Sequence, residues 1–138
     1  MLTEGQKIDA DRLARYIARE QLVSIMNDTK WQRLFNALEP IAGSLSFRRK
    51  DVRGTEQTSE SWCRDFYHMF GGWISIEWLD ITAKRAIPRG ALIEPRIQDE
   101  TPLLIGAVRA AGVAFSRHEA YVRIWGYLRP GVSPKLEK

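Results

Sequence analysis

Three groups of residues have types and spacings that could do chemistry. The first is a thiol, a carboxylate and an imidazole at Cys63, Asp65 and His68. A thiol becomes a nucleophile when a nearby imidazole takes its proton. In a helix, Cys63 and His68 would point about 140° apart, and in a strand they would lie on opposite faces. Neither arrangement forms the required hydrogen bond, so we interpret Cys63 as a buried thiol and His68 as a surface side chain.

The second group is a pair of carboxylates, Glu77 and Asp80, within an apolar segment. A carboxylate among apolar residues is costly unless it is paired or solvated. Because residues three apart on a strand face opposite sides, the two do not form a glycosidase-type pair. The pattern favours a structural role, in which Asp80 accepts hydrogen bonds from backbone or arginine groups and Glu77 pairs with an arginine on a neighbouring strand. The alternative is a polar binding site near the edge of the strand, assembled with Arg85, Arg89 or Arg96.

The third group is the segment 121–129, which we call the aromatic–arginine strand. If this segment is extended, one face carries Val122, Ile124 and Leu128. The other face carries Tyr121, Arg123, Trp125, Tyr127 and Arg129.

Rings interleaved with guanidinium groups suit stacking and anion contacts. Two interpretations stay open: the rings are packed beneath a helix with the arginine stems lying over them, or they form a binding surface. Such a surface would bind a protein, or RNA or single-stranded DNA with help from the basic residues Arg48 and Arg49.

The composition excludes several classes of site. Two histidines and one cysteine cannot build a Cys/His zinc site, and no phosphate-binding or dinucleotide-binding motif is present, so we predict no metal and no cofactor. No apolar run approaches the roughly 20 residues of a membrane span, and the N-terminus has no signal region. With a single cysteine, these features predict a cytoplasmic protein. The net charge of +4 is spread along the chain and does not identify a partner.

The elements that would position these residues begin with helices. An apolar arc predicts a helix from Asp9 to Met26, and Thr29 with Gln32 has the form of a capping box for a second helix, which ends at Pro40. A third helix is predicted from a cap at Thr101 to a stop at Gly112.

Strands are predicted around Leu45 and Phe47, at Trp73–Ile81, near Ala91–Ile97, at Val113–Phe115 and at Tyr121–Arg129. Residues 51–61 are expected to form an exposed loop. Residues 61–70 fit either a short helix or a strand. The termini, 1–8 and 131–138, are expected to fray. Together these elements predict one α+β domain over residues 1–138, with two N-terminal helices, a mainly antiparallel sheet of four or five strands and one late helix.

Several motifs recur in the same order in a family of small uncharacterised bacterial proteins. They are the strand Ile76–Ile81 (IEWLDI), the helix start at Asp99–Thr101 and the closing segment Val122–Tyr127 with its I-x-G-Y pattern. The early helix with Trp31–Phe35 also fits. The chain resembles this family over roughly residues 29–130. The resemblance implies a compact α+β domain of bacterial origin and carries over no activity, cofactor or catalytic residue.

These observations predict a non-enzymatic protein that binds another macromolecule, most readily a protein. Bacterial immunity proteins and regulators of this size are an analogy, although an inhibitor of a cationic nuclease gains from being acidic and this chain is basic. The alternatives are an RNA-binding or single-stranded-DNA-binding module, and an enzyme with an unfamiliar carboxylate and arginine site around Glu77 and Asp80.

Overall fold

The computed structural model of the chain describes residues 3–53, 62–69 and 72–138. In these residues the α-helices are α1 (Glu4–Arg19), α2 (Asp28–Leu38) and α3 (Thr101–Ala111). The β-strands are β1 (Val23–Ser24), β2 (Ser46–Asp51), β3 (Ile76–Thr82), β4 (Lys84–Ile87), β5 (Arg96–Asp99), β6 (Phe115–Arg117), β7 (Val122–Trp125) and β8 (Tyr127–Leu128). The mixture of helices and antiparallel strands confirms the predicted α+β class.

The main sheet has four antiparallel strands in the order β2-β3-β7-β6. Two short ribbons, β1 with β8 and β4 with β5, lie outside it. β3 is buried along almost its whole length, as the apolar run of its sequence predicts for a central strand. No helix in the described part of the chain is both long enough and apolar enough to cross a membrane.

The main core lies between one face of this sheet and the helices α2 and α3. The apolar stripe predicted for α2 is buried, and so are the inward-facing residues of α3. The largest fully enclosed side chains of this core include Leu34, Phe35, Phe47, Leu79, Leu104, Phe115 and Ile124. The opposite face of the sheet carries Arg48, Lys50, Trp78, Asp80, Arg123 and Trp125, and in the described residues it is not covered by α2 or α3.

Helix α1 differs from its prediction at both ends. It begins at Glu4, because Thr3 and Gln6 form a capping box that the sequence analysis missed. It ends at Arg19, and Gln21 then adopts a positive φ of 56° that redirects the chain. Residues 4–8, expected to fray, therefore form the first turn of α1. The buried side chain of this helix is Leu13.

The predicted caps of the other helices also need correction. Asn27, not Thr29, caps α2, because the Asn27 side chain accepts a hydrogen bond from Lys30 N at 2.8 Å. Glu100 occupies the cap position of α3 and makes no side-chain cap bond. Thr101 is the first helical residue, and its amide donates to Asp99 Oδ1. Gly112 ends α3 with a φ of 73°, as predicted.

Segments 51–70 and 91–97 differ in part from expectation. Asp51 ends β2 and Val52 is buried, whereas residues 54–61 of the predicted loop lie outside the described residues. Both alternatives for 61–70 are partly realised, with an isolated bridge at Cys63 followed by a 3-10 turn at Phe66–Met69. The strand expected near Ala91–Ile97 occurs later, as β5, because it pairs with β4 across a loop that contains residues 91–95.

Both edges of the main sheet are covered by single backbone bridges. At the β2 edge, the Phe47 and Cys63 amides exchange hydrogen bonds of 2.7 and 2.6 Å. At the β6 edge, Phe115 and Glu137 do the same at 3.0 and 2.7 Å. The C-terminal segment, expected to fray, therefore protects a strand that would otherwise present free backbone groups.

Candidate functional site

We call the sheet face that carries Arg48, Lys50, Trp78, Asp80, Arg123 and Trp125 the polar face. At its centre, Asp80, Arg48 and Arg123 form an ion triad. Asp80 has no solvent-exposed side-chain area, and the two arginine side chains are 19% and 17% exposed. Arg48 Nε donates to Asp80 Oδ2 at 2.9 Å, and Arg123 donates to both carboxylate oxygens at 2.6 and 2.9 Å. Both oxygens of the buried carboxylate are therefore engaged by guanidinium groups.

The strand register produces this triad. Asp80 is the Cα partner of Arg48 across the β2–β3 pair and of Arg123 across the β3–β7 pair. The three side chains therefore stand in one row on one face. The expected structural role of Asp80, accepting arginine hydrogen bonds, is what the structure shows.

A second buried carboxylate, Glu77, is paired with Lys50 and Arg129. Its Oε1 accepts from Lys50 Nζ at 2.9 Å and from Arg129 Nη2 at 2.7 Å. Arg129 also donates to the Val52 carbonyl, and its pKa is raised, mainly by the hydrogen bond to Glu77. This matches the expected pairing of Glu77 with an arginine.

Glu77 lies at a β-bulge. Lys50 pairs with Trp78 but Asp51 pairs with Ile76, so Glu77 is an extra residue in β3. The expectation that Glu77 and Asp80 face opposite sides does not hold, because the bulge interrupts the alternation. Lys50 approaches Glu77 from the face that also carries Arg48, so both carboxylates are neutralised by cations of the polar face.

Two rings of the aromatic–arginine strand are packed inside the protein. Trp125 is 8% exposed, and its Nε1–H donates to Ser116 Oγ at 3.0 Å. Tyr127 is buried and its hydroxyl donates to the Ile74 carbonyl at 2.6 Å. Burial raises the pKa of Tyr127, with a smaller contribution from the charge of Asp28. For these two rings the packing interpretation applies. Tyr127 packs in a cluster with Leu13 of helix α1, whereas the guanidinium of Arg123 lies over Trp125.

The arginines of the same strand lie over rings. The Arg123 guanidinium carbon is 3.9 Å from the centroid of the Trp78 ring and 5.3 Å from that of Trp125. Cation–π contacts of this kind add to the ion pairs with Asp80. Arg123 therefore closes the face over the two indoles instead of pointing away from it.

The rim of the polar face, formed by Arg48, Trp62, Tyr121 and His118, is more exposed than the centre of the face. It includes residues that the sequence did not predict there. Arg48 lies between the rings of Trp62 and Tyr121, with centroid distances of 4.4 and 4.9 Å. Tyr121 in turn stacks on His118 at 4.5 Å. Trp62 was not expected here, and a bridge between Cys63 and the strand that carries Arg48 brings it in. Arg49 lies apart from the rim, because the alternation of β2 turns it to the other face, where it bonds Asp51.

A serine and a histidine come within hydrogen-bond distance at this rim. Ser116 Oγ lies 3.0 Å from His118 Nε2. Burial, followed by the charge of Arg123, lowers the pKa of His118. The buried serine also accepts from Trp125, and both oxygens of Asp80 are occupied by arginines. The pair thus serves as a hydrogen-bonded support for the Trp125 indole.

The other acid, thiol and histidine candidates do not come together. Cys63 makes the bridge to β2, and its Sγ accepts from the Asp65 amide at 3.3 Å, while the His68 side chain lies outside what the structure describes. In residues 3–53, 62–69 and 72–138, no three His, Cys, Asp or Glu side chains are placed to hold a metal ion.

Arg85 and Arg89, considered above as partners of Glu77 and Asp80, instead donate to Gln98 Oε1 and to the Glu94 carbonyl. Two surface features lie apart from the buried carboxylates and the aromatic–arginine strand. The first is the ribbon of β4 and β5 with its loop, residues 84–99, which we call the hairpin arm. Leu92 is fully exposed, and Ile97 and Ile93 are 64% and 55% exposed. Residues 91–93 were predicted as part of a strand near Ala91–Ile97, and the exposure of Leu92 and Ile93 was not predicted.

The second feature is an open groove of about 520 Å³ lined by Arg12, Arg15, Arg19, Arg53 and Tyr16, which we call the arginine groove. The i, i+3, i+7 spacing of the three α1 arginines was visible in the sequence as a polar side of the helix. Their meeting with Arg53 depends on tertiary structure and could not be predicted.

A family model described as "Family of unknown function (DUF6678)" matches residues 13–131. The chain belongs to this family. The match extends from α1 past β8 and so includes the polar face, the hairpin arm and most of the arginine groove. The predicted membership of an uncharacterised family is confirmed. No curated protein and no solved structure matches the chain.

Proposed function

We propose that this protein is a non-enzymatic binding protein that recognises another protein through its hairpin arm. The observation that carries the proposal is the exposure of three aliphatic side chains, Leu92, Ile93 and Ile97, on one ribbon. Several exposed aliphatic side chains within one short segment are typical of interaction sites.

The contrast between the hairpin arm and the main sheet supports this assignment. The edges of the main sheet are covered by the Cys63 and Glu137 bridges. In the described residues β4 and β5 pair only with each other, so each has an outer edge without a strand partner. A partner could therefore gain both apolar contacts and backbone hydrogen bonds at this arm.

The charge of the arm indicates the chemistry of the partner. Residues 84–99 contain four basic residues, Lys84, Arg85, Arg89 and Arg96, and two acidic residues, so the arm has a net charge of +2. Two arms of the same charge repel each other, which disfavours a second copy of the chain. The partner that fits is a protein with an apolar patch surrounded by carboxylates. We propose a cytoplasmic bacterial regulator or inhibitor of such an acidic protein.

The test compares two double variants in a pull-down from cells of the source organism. Leu92→Ser with Ile97→Thr removes the exposed aliphatics of the arm, and Ile8→Ser with Val132→Ser removes aliphatics that are also exposed but lie elsewhere. All four positions are exposed, so both variants should unfold at the same denaturant concentration as the wild type. We expect a specific partner, confirmed as a 1:1 complex with purified components, to bind the wild type and control and to be lost from the arm variant.

Two outcomes would contradict the proposal. Retention of the partner by the arm variant would place recognition elsewhere. A wild-type dimer that the arm variant converts to a monomer in analytical ultracentrifugation would make the arm a self-association surface.

A second candidate function, binding of RNA or single-stranded DNA, is favoured by the arginine groove. Its lining contains four arginines and no carboxylate. The arginines first considered for this role, Arg48, Arg49, Arg123 and Arg129, are all ion-paired to carboxylates. In the groove, Arg19 also lies 3.8 Å from Glu20, but both side chains of this pair are exposed.

An oligonucleotide titration at two salt concentrations tests this candidate. Nucleic-acid binding should weaken steeply with salt and should be reduced in Arg12→Gln with Arg15→Gln. The control, Arg109→Gln with Arg117→Gln, removes the same charge from arginines that contact Glu137. Equal loss in both variants would indicate non-specific attraction, and no binding at low salt would eliminate the candidate.

A further inference from the structure

A cavity of about 280 Å³ lies between the start of α2, the 3-10 turn Trp73–Ser75 and the junction of β7 and β8. Its volume is just below the usual range of ligand sites, about 300–1,000 Å³. Its lining is formed by Ser24, Met26, Asn27, Asp28, Trp31, Trp73, Ile74, Gly126 and Tyr127. The cavity is separate from the hairpin arm and shares no lining residue with the arginine groove.

Three aromatic residues form much of the wall, and intrachain contacts fix their rings. Trp31 stacks on Phe35 at a centroid distance of 5.8 Å, and Phe35 contacts the Trp73 ring at 5.7 Å. The Tyr127 ring is held by its hydroxyl, which donates to the Ile74 carbonyl. The wall is therefore preorganised.

The charged group of the lining is a carboxylate. Asp28 Oδ1 accepts from Trp73 Nε1 at 2.9 Å, and this bond holds the carboxylate beside the indole. Asp28 is also the first residue of α2, where the partial positive charge of the helix dipole attracts its carboxylate. The effect of Asp28 on the pKa of Tyr127 is consistent with the two groups facing the same space.

The same lining does not suit an anion. The Asn27 side chain already accepts from the Lys30 amide at the start of α2, and Asp28 adds a negative charge there. Lys30, two residues after Asp28, is not part of the lining, and its ammonium donates to the Ile25 carbonyl.

We propose that this cavity binds an organic cation, specifically an alkylammonium group such as a lysine side chain or a free amine. Trp31, Trp73 and Tyr127 line the cavity, and aromatic rings attract a cation through their quadrupoles. Asp28 supplies the compensating negative charge, and the apolar wall accepts the alkyl chain. The proposal is independent of the function assigned to the hairpin arm.

The test is a titration of the purified protein with n-butylammonium chloride, followed by the indole N–H signals in a nitrogen-resolved NMR spectrum. Butan-1-ol serves as the neutral probe of similar size, and sodium chloride matches the ionic strength. We expect saturable shifts of the Trp73 indole signal with n-butylammonium, and no comparable shift with butan-1-ol or sodium chloride.

Two variants assign the effect to the cavity. Asp28→Asn keeps the shape of the side chain and should weaken n-butylammonium binding by up to about fivefold, because Asp28 is exposed and a solvated ion pair contributes less than a buried one. Asp11→Asn removes one exposed negative charge from α1 and should leave the affinity unchanged. Trp73→Phe removes the reporting indole, so its binding is measured on the Trp31 signal and should also be weaker.

Three results would overturn the proposal. These are the absence of saturable shifts with n-butylammonium, equal binding of butan-1-ol, and an Asp28→Asn variant with wild-type affinity. A circular dichroism spectrum of Asp28→Asn that matches the wild type excludes unfolding as the cause of lost binding.

Discussion

Replacing Asp80 with asparagine should destabilise this protein far more than the same change at an exposed carboxylate. Asp80→Asn preserves the volume of the side chain but removes the charge that faces Arg48 and Arg123. The remaining carbonyl oxygen can still accept from arginine, but the amide nitrogen turns its hydrogens towards a guanidinium donor. Because asparagine is neutral, both guanidinium groups lose their counter-charge in a poorly solvated position.

The magnitude follows from the burial of the three groups. Removing one partner of a buried ion pair costs about 3–5 kcal/mol. Because Arg48 and Arg123 keep 19% and 17% of their side-chain surface in water, the lower end applies. We therefore expect a loss of about 3 kcal/mol in the free energy of unfolding, a large part of the 5–15 kcal/mol typical of a domain.

The chain provides a matched control. Glu137 also bridges two arginines, Arg109 and Arg117, with distances of 3.1 and 2.9 Å, but all three side chains are about one third to one half exposed. Glu137→Gln should cost about 1 kcal/mol or less. Equilibrium unfolding in urea, followed by tryptophan fluorescence, measures both values. Equal effects of the two substitutions would refute the claim that the polar face is a buried structural layer.

Two further predictions concern the same region. Gly126→Ala should lower the free energy of unfolding by at least about 3 kcal/mol or prevent folding, because the new Cβ would lie 2.0 Å from the Ile76 carbonyl oxygen. Gly106→Ala in α3 should instead raise the free energy of unfolding by about 0.5–1 kcal/mol, because its new Cβ would have no atom within 4 Å. The first claim fails if thermal unfolding gives both variants the same melting temperature. His118 should titrate below 6.5 by NMR, because burial lowers its pKa. The unfolded chain then binds more protons than the folded chain, so the free energy of unfolding should fall as the pH decreases below about 6.5. The part of this fall that is due to His118 should be absent in His118→Gln. A His118 pKa at or above 6.5 would contradict this prediction.

The parts of the fold that sequence patterns predicted are those set by local periodicity. The stripe Trp31, Leu34, Phe35 and Leu38 defines α2, and Gly112 ends α3, because each depends on residues a few positions apart. The central strand Ile76–Thr82 was recognisable from its β-branched and aromatic residues. The caps were less predictable, because Asn27 and Thr29, only two positions apart, both have side chains that can cap a helix.

The candidate site depended on register, which the sequence does not encode locally. The alternation of residues 121–129 correctly separated Val122 and Ile124 from Arg123 and Trp125. Whether the Arg123 guanidinium could contact a ligand depended on its position beside Asp80. This position is set only when β3 pairs with β7. The bulge at Glu77 and the exposure of Leu92 likewise depend on tertiary pairing.

The central claim is that recognition takes place at the hairpin arm and not on the polar face. Backbone and indole NMR shifts, recorded while the isolated partner is added, test it most directly. The account predicts shifts at residues 86–98 and an unmoved, slowly exchanging Trp125 indole N–H. Shifts of Trp125 and Arg123 with an unperturbed arm would contradict it.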